Sequence, residues 1–216
     1  MNRFYWLSWL GFRALFRLYF RWRIFDAERV PPTGGAIFTP NHASLIDPFV
    51  VGAAVPRQTT YLARATLFRF APLGWLLHKW SAVPLDRDGG SAAGLRVVFD
   101  RLRQGDAILL FPEGTRTRDG KLQPARSGIG LIVIKSEVPV VPVRLFGTFE
   151  AMRREAWCPL PRRVALRFGQ PLQFRALRQE AQNCSKARLK EIYQQVADEI
   201  MAAIAGLEPP THGWGA

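Results

Sequence analysis

The chain has 216 residues, 48% of them hydrophobic, and a formal net charge of +13. This length fits one domain, and the apolar content is sufficient for a core, which argues against a disordered chain. The 25 arginines against 5 lysines favour an anionic partner: a nucleic acid, a membrane surface or a phosphorylated substrate. Two cysteines outside a CxxC motif and three histidines argue against a disulfide framework and a structural zinc site.

The first 25 residues are rich in aromatic side chains and arginine and contain no acidic residue. Arg13, Arg17 and Arg21 follow a spacing of four and would share one helical face, whereas leucines and an alanine can fill another. The apolar run is shorter than the about 20 residues that a bilayer span needs. We therefore predict an amphipathic helix in the membrane interface, with aromatic rings at the headgroups and arginines on lipid phosphates. The alternative is a helix packed on the core with a solvated basic face.

Behind a proline and glycine cluster at 31–35, apolar runs that predict strands alternate with segments of helical spacing. The predicted strands are 36–39, 59–63, 81–85, 107–111, 138–146 and 163–168. The predicted helices are 46–54, 92–103, 128–135, a bent helix at 67–80 and a last helix with Ser185 as its N-cap.

This alternation predicts the α/β fold class: a single domain with a mostly parallel central sheet flanked by helices. In this organisation, residues 1–30 form an N-terminal amphipathic membrane-interface segment, 31–205 form the domain, and 206–216 form a flexible tail.

Three polar clusters each follow a predicted strand: Asn41 and His42 with Asp47, then Asp86 and Arg87, then residues 113–116. Ligands of open α/β sheets bind outside the carboxyl ends of the strands, so these clusters are expected to converge on one crevice. Arginines there suit phosphate recognition, although each could instead pair with a neighbouring aspartate on the surface.

His42 and Asp47 have the residue types of a His-Asp dyad. A neutral imidazole can accept a proton from an alcohol, and a carboxylate on its other nitrogen fixes the tautomer and stabilises the imidazolium. No GxSxG elbow is present, so the hydroxyl would belong to the substrate. As an isolated motif, the same pair would more often cap a turn and a helix.

Four segments, NHASLID, PLDR, FPEGTR and VPVVPV, occur in this order within about residues 36 to 171. Together they resemble the four blocks of the glycerolipid acyltransferase family, which contains the bacterial 1-acylglycerol-3-phosphate acyltransferases. The resemblance implies that His42 is the general base that deprotonates the free hydroxyl of the acceptor, and that Asp47 orients it. The resulting alkoxide would attack an acyl thioester directly, without an acyl-enzyme.

The resemblance also implies roles for two further sets of residues. One set would bind the glycerol phosphate of the acceptor: Arg87, Glu113, Gly114, Thr115 and Arg116. The other would line the acyl-donor pocket: Val138, Pro139, Val140 and Pro142. One departure leaves the acceptor headgroup open, because many members carry an FKKG-like cluster where this chain has PARSG at 124–128, with Arg126 as the one cation.

The function that the resemblance implies is transfer of a fatty acyl group from acyl-CoA or acyl-carrier protein to 1-acylglycerol 3-phosphate (lysophosphatidate), which gives phosphatidic acid. Neither a metal nor an organic cofactor is expected, and the further partner would be an anionic phospholipid surface at the cytoplasmic face of a membrane. The alternatives are an acyltransferase for another lysolipid or for glycerol 3-phosphate, and a basic non-enzymatic protein that binds nucleic acid or membranes. No zinc-finger or RRM signature is present, so nucleic acid is not expected as a partner.

Overall fold

The computed structural model of the protein describes residues 2–85 and 92–209. Arg87, which the resemblance assigns to the acceptor phosphate, lies outside the described residues, as does Asp86 beside it. Most of the predicted tail, residues 210–216, lies outside them as well.

The described residues form seven strands and eight helices, with short 3-10 turns at Ala27–Arg29 and Ala65–Arg69. The strands are β1 (Arg23–Phe25), β2 (Ala36–Pro40), β3 (Thr59–Arg64), β4 (Ala82–Leu85), β5 (Ala107–Leu109), β6 (Val140–Phe146) and β7 (Ala165–Phe168). The helices are α1 (Arg3–Tyr19), α2 (Asp47–Ala54), α3 (Ala71–Lys79), α4 (Ala92–Arg103), α5 (Gly128–Ser136), α6 (Thr148–Ala151), α7 (Arg175–Gln182) and α8 (Lys186–Ala205).

The strands form one sheet in the order β1-β7-β6-β2-β5-β3-β4. The five strands from β6 to β4 are mutually parallel, whereas β7 runs antiparallel to β6. The prediction of a single α/β domain with a mostly parallel sheet is therefore confirmed. Because β2, β3, β4, β5 and β6 point the same way, the loops that leave their carboxyl ends meet at one edge of the sheet.

The alternation of side chains along the strands divides the core between the two faces of the sheet. Phe38 and Leu109 face a cluster closed by α2 and the end of α1, whereas Ile37 and Ile108 face a second cluster closed by α4, α5 and α8. All five residues of β2 are buried, as expected for a central parallel strand. In α8 the predicted N-cap is confirmed, because the Ser185 hydroxyl accepts the backbone N–H of Arg188.

Helix α1 packs on the domain with its aromatic side and exposes its leucines. Tyr5 and Phe16 are buried, and Phe12 packs against the core cluster. The outward side carries exposed apolar side chains, namely Trp6, Leu7, Leu10, Leu15 and Leu18. Most aromatic rings of α1 thus pack towards the domain, and the face turned away from it is mainly apolar, with Arg3 and Arg17 exposed as well. The contact with a membrane stays a prediction.

Arg13, Arg17 and Arg21 do not form the single basic helical face that their spacing predicted. Arg13 donates to the carbonyl oxygen of Ala53 at 3.0 Å and lies over the ring of Trp9, so its guanidinium is held by the protein. Arg21 does not continue the helical face, because α1 ends at Tyr19 and Arg21 has a φ of 47°. The chain then enters the sheet as β1, a strand that the sequence analysis did not predict.

Other elements differ from prediction mainly at their ends. The bent helix predicted at 67–80 is a 3-10 turn followed by α3, and β5 ends at Leu109 rather than at 111. Helix α7 was not predicted. In the part of the chain that the structure describes, no helix combines the length and the apolar character needed to cross a bilayer.

Candidate active site

The loop between β2 and α2 holds the His-Asp pair at the centre of the carboxyl edge of the sheet. Asp47 is the first residue of α2, and its carboxylate is fully buried. Its Oδ2 accepts the backbone N–H groups of Ala43 at 2.7 Å and Ser44 at 2.6 Å. A carboxylate at a helix N-terminus is favoured by the helix dipole. The two backbone N–H groups of the loop fix the position of the Asp47 carboxylate.

The same Oδ2 lies 2.9 Å from Nδ1 of His42. This hydrogen bond assigns the ring hydrogen to Nδ1 and leaves the lone pair of Nε2 free to accept a proton. The imidazole also stacks on Phe111, with 3.9 Å between ring centroids, while its side chain stays 18% exposed. The ring is thus held on one face and at one nitrogen but remains accessible, which suits a general base.

Glu113 holds the backbone of this loop rather than facing a ligand. It is 3% exposed. Oε1 accepts the backbone N–H of His42 at 2.9 Å, and Oε2 accepts that of Gln123 at 3.2 Å. Burial raises the pKa of Glu113, and the hydrogen bonds from His42 and Gln123 partly oppose this rise. Both carboxylate oxygens are thus engaged by backbone N–H groups, and the contact with a substrate headgroup that the resemblance implies for Glu113 stays a prediction.

The rest of the FPEGTR segment does line a cleft beside His42. Gly114, Thr115 and Arg116 all contribute to its wall. Gly114 has a φ of +69°, and a Cβ there would come within 2.8 Å of the Arg126 side chain. A glycine at this position therefore allows both the left-handed turn and the close packing of Arg126 across it.

Two cavities meet at His42. One is polar, has a volume of about 480 Å³ and extends over the Gly114–Arg116 turn. The other is mainly apolar, has a volume of about 500 Å³ and runs between α1, α2 and α3. Residues common to both walls are His42, Leu62, Phe111 and Arg116. His42 therefore lies between an apolar cavity and a cleft whose wall contains arginine side chains.

Besides His42 and Arg116, the apolar cavity is lined by residues that were not predicted to form a site. Those on or next to the helices α1, α2 and α3 include Trp9, Phe12, Phe49, Leu77 and Trp80. The residues expected to line an acyl-donor pocket lie elsewhere: Val140 and Pro142 are buried within the central strand β6, and neither they nor Val138 and Pro139 line these two cavities. Val140 and Pro142 therefore build the sheet, and the role in the acyl-donor pocket that the resemblance implies for VPVVPV stays a prediction.

Two buried side chains tie the His42 loop to β6 and to the chain that follows it. The amide of Asn41 accepts the Leu145 N–H at 2.7 Å and donates to the Leu145 carbonyl at 3.3 Å. The hydroxyl of Ser44 donates to the carbonyl of Met152 at 2.8 Å. Both contacts span more than 100 residues of sequence, and no local pattern indicates them.

Arg154, just beyond Met152, also lines the polar cleft together with His42 and Arg116. This arginine was not predicted from the sequence, because it lies outside the four motif segments. The carboxyl end of a fourth strand, β6, was the signal that could have found it, because β6 is parallel to β2.

A histidine base beside an apolar cavity and a cationic cleft defines a site that can activate a hydroxyl of an amphiphilic, anionic substrate. A model of the Acyltransferase family matches residues 21–145, more than half of the chain, and the chain therefore belongs to this family. The family membership predicted from the four sequence segments is confirmed.

Several relatives share the name 1-acyl-sn-glycerol-3-phosphate acyltransferase. Over 143 residues the chain is 32% identical to a 1-acyl-sn-glycerol-3-phosphate acyltransferase of Limnanthes douglasii, a match that covers 63% of this chain and 50% of the relative. It is 27% identical over 126 residues to the Bacillus subtilis (strain 168) protein of the same name, and this match covers 58% of this chain and 62% of the relative. The match covers between 33% and 50% of the length of the plant relatives.

The fold also matches a solved structure. The crystal structure of the 1-acyl-sn-glycerophosphate acyltransferase PlsC from Thermotoga maritima superposes with a TM-score of 0.73 at 22% identity. The match covers 95% of this chain and 81% of that one. At this identity the likeness supports the fold.

Proposed function

We propose that this protein is an O-acyltransferase that moves a fatty acyl group from acyl-CoA or acyl-carrier protein to the free hydroxyl of 1-acylglycerol 3-phosphate. The product is phosphatidic acid. The observation that carries the proposal is the position of His42: its Nδ1 is bonded to a buried carboxylate, and its ring lies where the apolar and polar cavities meet. The names of the relatives support the same reaction.

In this reaction Nε2 of His42 takes the proton of the acceptor hydroxyl while the hydroxyl oxygen attacks the carbonyl carbon of the thioester. The carbon–sulfur bond then breaks, and the leaving thiolate takes the proton from the imidazolium. An ester and a free thiol result, and the histidine returns to its neutral form. Asp47 acts through His42, because its negative charge stabilises the imidazolium and fixes the tautomer.

The two cavities divide the substrates by polarity. A fatty acyl chain of the donor fits the apolar cavity, where aromatic and aliphatic side chains replace water around its methylenes. The phosphate of the acceptor fits the polar cleft near Thr115 and Arg116, with Arg126 packed against the neighbouring Gly114. This arrangement brings the thioester carbonyl and the acceptor hydroxyl together beside His42.

A second acceptor class is favoured by one specific departure. The segment 124–128 carries one cation, Arg126, where many members of the family carry a lysine cluster. This segment therefore offers fewer positive charges to the headgroup of the acceptor. An acyltransferase for another lysolipid or for glycerol 3-phosphate would use the same dyad with a different fit in the polar cleft.

The enzyme would meet these lipids by binding peripherally to the cytoplasmic side of an anionic membrane, where acyl-CoA and acyl-carrier protein are available. The outer face of α1, defined by Trp6, Leu7, Leu10, Leu15 and Leu18, is exposed and apolar. Such a face in a monotopic helix fits the boundary between headgroups and acyl chains.

A loop at the C-terminal end of α1 extends this surface. The Tyr19 hydroxyl donates to the carbonyl of Pro159 at 2.8 Å, which joins α1 to the loop. In that loop Trp157 is 97% exposed and Leu160 is exposed as well, close in sequence to Arg162. An exposed tryptophan near arginines is typical of an anchor at the level of lipid headgroups.

The proposal is tested by thiol release from oleoyl-CoA with detergent-dispersed lysophosphatidate. Wild type is compared with His42→Ala and with His78→Ala, an exposed histidine of α3 that does not line either cavity. We expect acceptor-dependent release by wild type and His78→Ala. His42→Ala should lose about 100-fold to 10,000-fold in kcat, the usual contribution of a general base.

The acceptor is then replaced in turn by glycerol 3-phosphate and by lysophosphatidylcholine, and the donor by an acylated carrier protein. Faster release with one of these would assign that substrate and keep the dyad mechanism. A folded His42→Ala variant with near-normal turnover would contradict the mechanism. The absence of acyl transfer from every donor to every acceptor would contradict the proposed function.

A further inference from the structure

Arg154 enters the polar cleft from a loop outside the four motif segments. The loop follows α6 at the carboxyl edge of the sheet, and Arg154 shares the cleft wall with His42, Thr115 and Arg116. Its side chain is exposed, and within the described part of the chain its guanidinium has neither an ion-pair partner nor a hydrogen bond. The guanidinium of Arg154 is therefore available to a ligand in the polar cleft.

The backbone around Arg154 is held in place. Two residues earlier, the buried Met152 accepts the hydrogen bond of Ser44, which itself lies two residues after His42. The Ala156 N–H donates to the Arg153 carbonyl at 3.1 Å and closes a turn around Arg154. The position of this arginine is therefore coupled to the loop of the proposed base by contacts within the fold.

Among the described residues, the wall of the cleft carries Arg116 and Arg154 and no acidic side chain. Arg116 comes from the loop after β5 and lines the cleft, Arg126 packs on Gly114 beside it, and Arg154 comes from the loop after β6. The nearby carboxylate of Glu113 is buried on backbone N–H groups, so it does not pair with these arginines. Guanidinium groups converging from separate loops fit a phosphomonoester, whose oxygens accept paired hydrogen bonds.

We propose that Arg154 binds the phosphate of the acceptor and supplies the cation that the segment 124–128 lacks. The proposal rests on the proposed function, in which the polar cleft takes the acceptor headgroup. The chain would thus hold the phosphate with a loop that follows β6 instead of a lysine cluster that follows FPEGTR. Acceptors with a phosphomonoester would be preferred over those whose phosphate carries a further substituent.

Arg154→Ala is compared with Arg153→Ala, the adjacent arginine, which lies over the ring of Phe149 and does not line the cleft. For Arg154→Ala we expect the KM for lysophosphatidate to rise roughly tenfold to a hundredfold, the usual effect of losing charge-assisted hydrogen bonds. The kcat and the KM for oleoyl-CoA should stay within about twofold, and Arg154→Lys should recover part of the affinity. A rise confined to the KM for oleoyl-CoA would overturn the assignment to the acceptor.

Calorimetry with sn-glycerol 3-phosphate on the purified full chain separates this inference from the proposed function. We expect binding by wild type and Arg153→Ala and a tenfold or larger loss for Arg154→Ala. Binding that depends on Arg154, without acyl transfer to any acceptor, would sink the proposed function and keep the phosphate site. Equal binding by wild type and Arg154→Ala, an equal loss in both variants, or no binding by wild type would overturn the site.

Discussion

Oε1 of Glu113 lies 2.9 Å from the backbone nitrogen of His42, so a buried carboxylate of one motif holds the backbone of another. Its second oxygen accepts the N–H of Gln123 in the loop that follows. The His42 carbonyl in turn accepts the N–H of Thr117 at 2.9 Å. The proposed base is therefore fixed from its side chain by Asp47 and from its backbone by the FPEGTR loop.

Glu113→Ala is expected to lower kcat while leaving the KM for the acceptor nearly unchanged. The substitution frees the His42 backbone, and a displacement of a reacting group by about 1 Å can cost on the order of 100-fold in rate. It also leaves two backbone N–H groups unpaired, those of His42 and Gln123, at a cost of about 1 to 3 kcal/mol of stability each. Steady-state kinetics and urea denaturation measure the two effects. A raised acceptor KM with an unchanged kcat would instead support headgroup binding by Glu113.

The raised pKa of Glu113 predicts a pH dependence of stability. Because burial raises this pKa above the ordinary value of 4.5, the folded protein holds the proton more tightly than the unfolded chain does. The contribution of Glu113 to the free energy of unfolding therefore falls as the pH rises from 4.5 through the raised value. Glu113→Gln cannot titrate and should lack this fall. Urea denaturation of both proteins between about pH 4 and pH 7 tests the difference, and parallel curves would contradict it.

Asp47→Asn should lower kcat by about 1,000-fold to 10,000-fold. An asparagine oxygen at the position of Oδ2 can still accept the N–H groups of Ala43 and Ser44, but it is neutral and does not stabilise the imidazolium. In the flipped orientation the NH2 group faces Nδ1, favours the wrong tautomer and loses both backbone hydrogen bonds. The variant should stay folded in circular dichroism. Asp198→Asn, an exposed position on α8, serves as the control that keeps full activity. Comparable turnover in the two variants would exclude Asp47 as the orienting group.

The sequence predicted the features that depend on local pattern. Alternating apolar runs indicated the strands of the parallel sheet, and the spacing of His42 and Asp47 within one loop indicated that they could pair. Strand β1 escaped prediction because it has three residues and is held by pairing with β7, which lies about 140 positions further along the chain. Such a strand exists through a distant partner and has no periodicity of its own.

The cavity walls and the role of Glu113 depend on tertiary contacts, which local pattern does not reveal. Trp9 and Leu77 reach the same cavity from helices far apart in sequence. Val140, in contrast, belongs to a motif but lies in the central strand β6, where its side chain is fully buried in the core. Motif membership indicated the neighbourhood of the site correctly but did not separate residues that touch ligand from residues that support the loops.

Leu77→Phe should shift the donor preference towards shorter acyl chains. Leu77 lines the apolar cavity, and a larger side chain there removes room for methylenes, each worth about 0.8 kcal/mol or roughly fourfold in kcat/KM. The measurement is the ratio of kcat/KM for oleoyl-CoA to that for lauroyl-CoA. Leu76→Phe is the matched control, since Leu76 is the adjacent residue of α3 and does not line the cavity. An equal ratio in both variants would show that the acyl chain binds elsewhere.

Leu18→Ser should weaken binding to anionic vesicles about tenfold, because this leucine of the outer face of α1 is 82% exposed and would lose its burial among acyl chains. Trp157→Ser should weaken binding further when the two substitutions are combined, since the loop and the helix would contact one surface. Val97→Ser, an exposed apolar position on α4, is the control. Sedimentation with vesicles of phosphatidylcholine and phosphatidylglycerol measures the partition. If Val97→Ser lowered binding as much as Leu18→Ser, the outer face of α1 would not be the docking surface, because both changes would then act through general surface hydrophobicity.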